Sequence, residues 1–329
     1  MAGGKERILR RRIKSVQSTK KITKAMELIA ASRIVRAQQR VAAARPYSEQ
    51  ITEVIRNLAA GGAGLDHPLL AQPDDSSINK VAFVVITADR GLAGAYNSNV
   101  IRAAERALKA EQAKGRDYSL VLVGRKAIAY FKYRNYRIDA SFEGVSDQPA
   151  YEDARKVAAV VTEAFDEGDV DQVELAYTQF LSAGTQRAVV RRFMPLDRGA
   201  LEDAAQSGEE GLQAAYEFEP EPAEILARLL PRYAEARLYA AMLDSAASEH
   251  AARQRAMKAA TDNAEELITK LSRIMNRARQ DAITTEIMEI VGGAEALRQG
   301  KSEGPDYFVD TVVSRDVLPD QLDRSGARR

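Results

Sequence analysis

The sequence predicts an α/β domain inserted between two long terminal helices that pair with each other as an antiparallel coiled coil. Three observations carry this. Apolar residues recur at steps of three and four towards both ends of the 329-residue chain. β-Branched runs alternating with helical stretches occupy only its middle. Aromatic residues make up 6% of the chain and Trp is absent, too little large apolar side chain for one big compact core.

The first helix is expected over residues 1–60. No Pro precedes Pro46, and no Gly lies between Gly4 and Gly61. Ile22, Met26 and Ile29, then Ile34, Ala37, Val41 and Ala44, then Ile51, Ile55 and Leu58 mark a seam. The five-residue step from Ile29 to Ile34 breaks the heptad, so this is not a clean zipper. At 1.5 Å per residue the segment reaches ~80 Å, with a bend expected at Pro46.

Gly61, Gly62, Gly64, Pro68 and Pro73 make residues 61–79 a linker. Residues 80–196 then change texture. Lys80 to Thr87 is a continuous apolar run, as in a strand buried on both faces. A Gly-bearing turn at 89–94 leads to a helix over 97–113. A strand over 119–124, helices over 125–133 and 151–167, and strands over 172–181 and 186–195 complete a Rossmann-like domain with a mostly parallel sheet.

Residues 197–222 hold eight acidic side chains against one basic, Arg198, and read as a solvated acidic loop. From 223 to 297 a second long helix is expected, with Pro231 near its start. Ala236, Ala240, Leu243 and Ala247, then Ala260, Ala264, Leu267, Leu271, Ile274 and Ala278, step four and three. That seam would extend ~110 Å and suits the first helix as partner. Residues 298–329, with Gly300, Gly304, Pro305 and Pro319, form a tail expected to be disordered.

The chain has no cysteine and two histidines, which excludes a disulfide framework, a thiolate nucleophile and a His-rich metal site. No apolar run approaches the ~20 residues needed to span a bilayer. The net charge of +1 is unevenly spread: Lys5 to Leu58 holds 14 Lys/Arg against four Glu. Three readings fit such a helix: a solvated face, a basic coiled coil that binds nucleic acid, or a shaft seated in an acidic or polar protein sleeve. Charge does not choose among them. Gly91-Leu92-Ala93-Gly94 lacks the spacing of a dinucleotide or phosphate loop, and no acidic ribose ligand follows it, so it reads as a plain strand-to-helix turn. Gly124 reads the same way, and His250 as a polar contact among Glu249, Arg253 and Arg255. No catalytic constellation stands out.

Residues 22–32, Ile-Thr-Lys-Ala-Met-Glu-Leu-Ile-Ala-Ala-Ser, and residues 278–294, with Ile283-Thr284, Glu286, Glu289 and Gly293-Ala294, go beyond generic helix. They closely resemble the terminal helices of the γ subunits of F-type ATP synthases. Residues 88–97 and 255–263 are similar to further stretches of that family, in the same order, and the likeness covers roughly residues 1–296. The resemblance implies a central-stalk rotor shaft that couples proton flow to ATP synthesis or hydrolysis by rotation, with no catalytic site, cofactor or small-molecule ligand of its own. It implies partners in the α and β subunits of the F1 hexamer, the ε subunit and the c-ring, and no nucleic acid. Family-like sequence from residue 2 implies a bacterial chain, peripheral on the cytoplasmic face of the membrane. Arg279 and Gln280 match a pair that bonds a loop of a catalytic subunit, Thr284 and Glu286 match coupling positions, and Met26 matches a methionine facing the catalytic subunits' levers. Tyr216 and Phe218 match the foot segment near the rotor ring. The tail is longer than the family pattern and is read as disordered or as a regulatory element.

Overall fold

The computed structural model describes residues 2–60, 69, 75–196 and 221–299. Among the described residues, besides a 3-10 turn at Asp75–Ser77, ten elements follow one another: α1 (Ala2–Ala60), β1 (Lys80–Ile86), α2 (Tyr96–Ala113), β2 (Asp117–Val123), α3 (Arg125–Tyr133), β3 (Ala140–Phe142), α4 (Tyr151–Asp166), β4 (Gln172–Phe180), β5 (Gln186–Met194) and α5 (Pro222–Gln299). Residues 11–271 form one compact unit, and residues 2–10 and 272–299 belong to a second.

The sheet order is β3-β2-β1-β4-β5. β1 pairs in parallel with both β2 and β4, β2 in parallel with β3, and β5 closes the far edge antiparallel to β4. Every residue of β1 after Lys80 is buried, because both faces of the sheet are covered. Val81, Phe83 and Val85 point to α2 and α3, where they meet Val100, Leu108 and Phe131. Ala82, Val84 and Ile86 point the other way, into a core with Val157 and Val161 of α4. Ile51, Ile55 and Leu58 of α1 and Leu226, Leu230 and Leu238 of α5 enter that same core. The terminal helices therefore close one layer of the domain as well as pairing with each other.

Their pairing is antiparallel, as expected. Thr23 Oγ1 lies 2.8 Å from Thr261 Oγ1, and Lys20 reaches Glu265 at 3.0 Å. The seam differs from the expected one at its beginning. Ile22 and Ile29 are 61% and 54% exposed, while Ile13, Thr23, Ala30, Ile34 and Ala37 are buried. Around Thr23 and Ala30 the small residues face inward, where they permit close approach, and the larger Ile22 and Ile29 face outward. On α5 Leu243, Ala247, Ala264 and Leu271 are buried as expected, but Leu267 and Ile274 are substantially exposed. α1 runs through Pro46 as one helix. The three-residue strand β3 has no counterpart among the expected elements; it is too short to show a periodicity.

The edge of the sheet is tied by Glu105 of α2, which accepts from Tyr130 (2.8 Å) and Tyr136 (3.0 Å). Burial pushes this carboxyl up, but Tyr130, Lys109 and Tyr136 outweigh it and pull it down to about 2.

Candidate functional site

In open α/β sheets ligands bind outside the carboxyl ends of the strands, where neighbouring connections leave in opposite directions. Here that point lies between β1 and β4, at the Gly-bearing turn 89–94. The α5 helix walls this crevice, and a cavity of about 330 Å³ remains beside the turn, lined by Gly94, Tyr96, Thr178, Ala252 and Arg255 among others. Ala252 of α5 packs on Ala88, Ala93 and Tyr96. Arg253 donates to the carbonyl of Gly91 at 3.3 Å, and Ser248 Oγ donates to the carbonyl of Thr178 at 3.3 Å. The turn is held inside as well: Asn97 Oδ1 accepts from Ala88 N, and Asp89 accepts from Ser146 N, Ser146 Oγ and Arg125 N. Burial raises the Asp89 carboxyl, yet these amide and hydroxyl donors hold it below its ordinary value. The reading of a plain strand-to-helix turn agrees with this arrangement. Gly124 is required by it, since its φ is +93° and a Cβ there would lie 2.2 Å from the carbonyl oxygen of Thr87.

Behind the turn sits a buried polar cluster whose partners sequence spacing does not show. Asp147, in the loop before α4, accepts from Arg33 of α1 at 2.6 Å. His250 Nε2 of α5 lies 3.3 Å from the Asp147 carbonyl and 3.6 Å from its carboxylate. Arg253 donates to Glu249 at 2.6 Å. Burial drives the His250 pKa down, only partly opposed by Asp147, and drives the Glu249 carboxyl up against the pull of Arg253. His250 is thus a polar contact, but with Asp147 rather than with its own helix. Arg255 instead grips the β4–β5 hairpin through the carbonyls of Ala183 (2.7 Å) and Gly184 (3.1 Å). No group of three His, Cys, Asp or Glu residues able to hold a metal occurs among the described residues.

The residues expected to touch partner subunits lie elsewhere. Arg279, Gln280, Thr284 and Glu286 are all exposed on α5. At about 100° per residue, Arg279 and Glu286 share one row of the helix and Gln280 and Thr284 another. Between the rows runs an apolar stripe, Ile283, Ile287 and Ile290, with exposures of 50%, 54% and 66%. A polar helix face bordering solvent needs no such stripe; a helix that is covered by something does. Gly292 and Gly293 continue the helix, and a Cβ at either would meet nothing within 4 Å among the described residues. Each helical Gly costs roughly 0.5–1 kcal/mol relative to Ala, and no packing among the described residues offsets that. The stripe and the glycine pair were visible in the sequence as a heptad-spaced run, but only burial shows that none of the described residues covers them.

Met26 is half-buried on α1, one turn from both Thr23 and Ala30, and so flanks the seam. Tyr216 and Phe218, and the tail beyond residue 299, lie outside the described residues.

A family model described as ATP synthase matches residues 5–297. The ATP synthase γ chain of Frankia casuarinae is 51% identical over 301 residues, covering 90% of this chain and 99% of that one. The γ chain of Streptomyces coelicolor is 48% identical, covering 90% and 97%. Among solved structures, a chain of the Euglena gracilis mitochondrial ATP synthase, in a structure of OSCP, F1 and the c-ring, matches with a TM-score of 0.62 at 19% identity. It covers 93% of this chain and 100% of that one. A chain of the Tetrahymena thermophila central stalk and c-ring matches at 0.54 and 23%, over 73% of this chain and 99% of that one; both likenesses concern the fold. No relative supports the nucleic-acid reading, and the chain belongs to the γ-subunit family of F-type ATP synthases.

Proposed function

We propose that this chain is the central rotor shaft of an F-type ATP synthase, and that the exposed end of α5 is the surface through which it couples rotation to catalysis. The observation that carries this is the bare stripe Ile283–Ile287–Ile290 flanked by Arg279/Glu286 and Gln280/Thr284. The two kinds of contact would do different work. Apolar contact is non-directional, so a sleeve that covers the stripe holds the helix while letting it turn. Arg279 has a fork of donors that suits a carboxylate in one orientation, so it favours particular angles. A shaft that meets each catalytic subunit with a different face stabilises a different conformation in each, which turns torque into differential nucleotide affinity.

On this reading the α and β subunits form the surrounding hexamer, and the ε subunit and the c-ring meet the rest of the shaft. The catalytic residues belong to the partners, and the chain is peripheral on the cytoplasmic face of a bacterial membrane. No helix among the described residues is long and apolar enough to cross that membrane. Met26 would face the catalytic levers, and a lysine there would damage coupling.

The test is proton pumping and ATP hydrolysis by the reassembled complex carrying Arg279→Ala with Gln280→Ala, and separately Ile283→Asp with Ile287→Asp. All four sites are exposed, so the melting temperature of the chain should stay unchanged while coupled activity falls at least severalfold. Full coupled activity in both variants would sink the assignment of this surface.

A further inference from the structure

Where α1, α4 and α5 meet, the chain leaves a groove of about 600 Å³. Its origin is legible in side-chain size. Ala44 of α1 and Ala236 and Ala240 of α5 occupy positions where a seam would ordinarily carry larger apolar residues, and they form the floor. The walls are three tyrosines, Tyr47, Tyr151 and Tyr239. Tyr151 and Tyr239 stand edge to face with centroids 5.6 Å apart, and Tyr151 OH donates to Glu235 at 2.7 Å. Burial and that bond push the Tyr151 hydroxyl well above its ordinary range, so it remains a neutral donor. Arg232 and Arg155 stand on the rim. Arg155 pairs with Glu152 at 2.6 Å, but both side chains are more than half exposed, and such pairs are weak. Glu235 is engaged by Tyr151, and Arg232 has no carboxylate within ion-pair distance among the described residues.

We propose that this groove is a binding site for a small planar aromatic anion. Its volume falls in the range of small-molecule sites, mostly apolar with a few convergent polar groups. The tyrosine faces and edges suit an aromatic ring at offset or edge-to-face geometry, and the two guanidinium groups suit a carboxylate, sulfonate or phosphate on its border. A ligand there would bridge α1 and α5 and stiffen the base of the paired helices. This departs from the sequence-based expectation of no small-molecule ligand, and it does not depend on the rotor reading, because it is tested on the isolated full-length chain.

The probe is 8-anilinonaphthalene-1-sulfonate, with uncharged N-phenyl-1-naphthylamine as its control, each titrated by fluorescence. The expected result is saturable binding of one sulfonate per chain. Arg155→Ala with Arg232→Ala should weaken the sulfonate about tenfold and leave the neutral dye unchanged; Ala240→Phe, which fills the groove, should weaken both. Melting temperatures accompany every titration. If Ala240→Phe lowers the melting temperature, the arginine variant alone decides, since its sites are on the rim. Sulfonate binding that is absent, unsaturable or unaltered in a folded variant overturns the proposal.

Discussion

Thr23 on α1 and Thr261 on α5 place their hydroxyls 2.8 Å apart in the buried seam between the terminal helices. Each hydroxyl also lies within reach of a carbonyl on its own helix, Lys20 for Thr23 and Met257 for Thr261. Two protons serve three contacts, so one hydroxyl donates to its own helix while accepting from the other. Replacing either Thr with Val should cost about 1 kcal/mol, the ordinary net value of a buried hydrogen bond. Replacing both should cost less than the sum, since no polar group is then left unpaired. Chemical denaturation of the four chains checks this, and strict additivity would show that the pair is not coupled.

The cluster at Asp147 predicts an acid-sensitive fold. Burial depresses the His250 pKa in the folded chain, against the charge of Asp147 and in concert with Arg253 and Arg33; Glu249, buried one residue away, is paired with Arg253. The unfolded chain therefore takes up the proton first as pH falls below about 6.5. Stability is fully present above that value and is lost as pH falls from it towards the folded pKa. His250→Gln should flatten this part of the stability profile, measured by thermal melts between pH 7.5 and 5. An equally steep profile in the variant would exclude His250 as the cause.

Asp244 on α5 should carry the opposite sign. It is half-buried over the end of β4, where desolvation raises its pKa to about 6 despite the Phe180 amide and the charges of Arg191 and Arg45. Between about 3.8 and 6 the folded chain holds a proton that the unfolded chain has lost, so stability rises as pH falls through this window. Above it the charged form burdens the fold. Asp244→Asn, which keeps an acceptor for the amide, should stabilise the chain at pH 7.5 by roughly 1–2 kcal/mol. The gain should shrink towards pH 4.5, and a pH-independent difference would contradict the cause given.

Gly124→Ala should be among the most damaging single substitutions in the inserted domain. The new Cβ would lie 2.2 Å from the backbone oxygen of Thr87, just past β1, which has no side-chain freedom with which to yield, and the φ of +93° is itself strained for alanine. A loss of about 3 kcal/mol or more, or failure to recover soluble protein, is expected. Gly292→Ala is the control: its Cβ meets nothing within 4 Å among the described residues, so the free chain should keep or gain up to about 1 kcal/mol of stability, and any loss should appear only in the assembled complex.

Much of this molecule was readable from spacing. The apolar run Lys80–Ile86 required covers on both faces, and α4, α2 and α3 supply them with the terminal helices. Two long ends with apolar seams, the first broken once at Ile29–Ile34, suited each other as partners, and Thr23 does meet Thr261. What spacing misjudged was which side of α1 meets α5. Ile22 and Ile29 outrank Thr23 and Ala30 in any hydrophobic pattern, yet they are the exposed ones. Periodicity identifies apolar faces but not what covers them, and a chain whose partners lie outside it spends large apolar residues on those partners. Ile283 and Ile287 are likewise exposed, although their spacing marks an apolar face.

The sequence alone determined the order of parts, the strand-to-helix turn with no phosphate loop, and the family to which the motifs belong. Only the tertiary structure decided that Ala252 of α5 packs on the turn after β1, that Asp147 joins Arg33 to His250, and that three alanines open a groove beside Tyr151. The physical reason is common to all three. Periodicity is a local property of the chain, whereas these contacts join residues more than eighty positions apart, whose meeting is set by how helices and sheet pack.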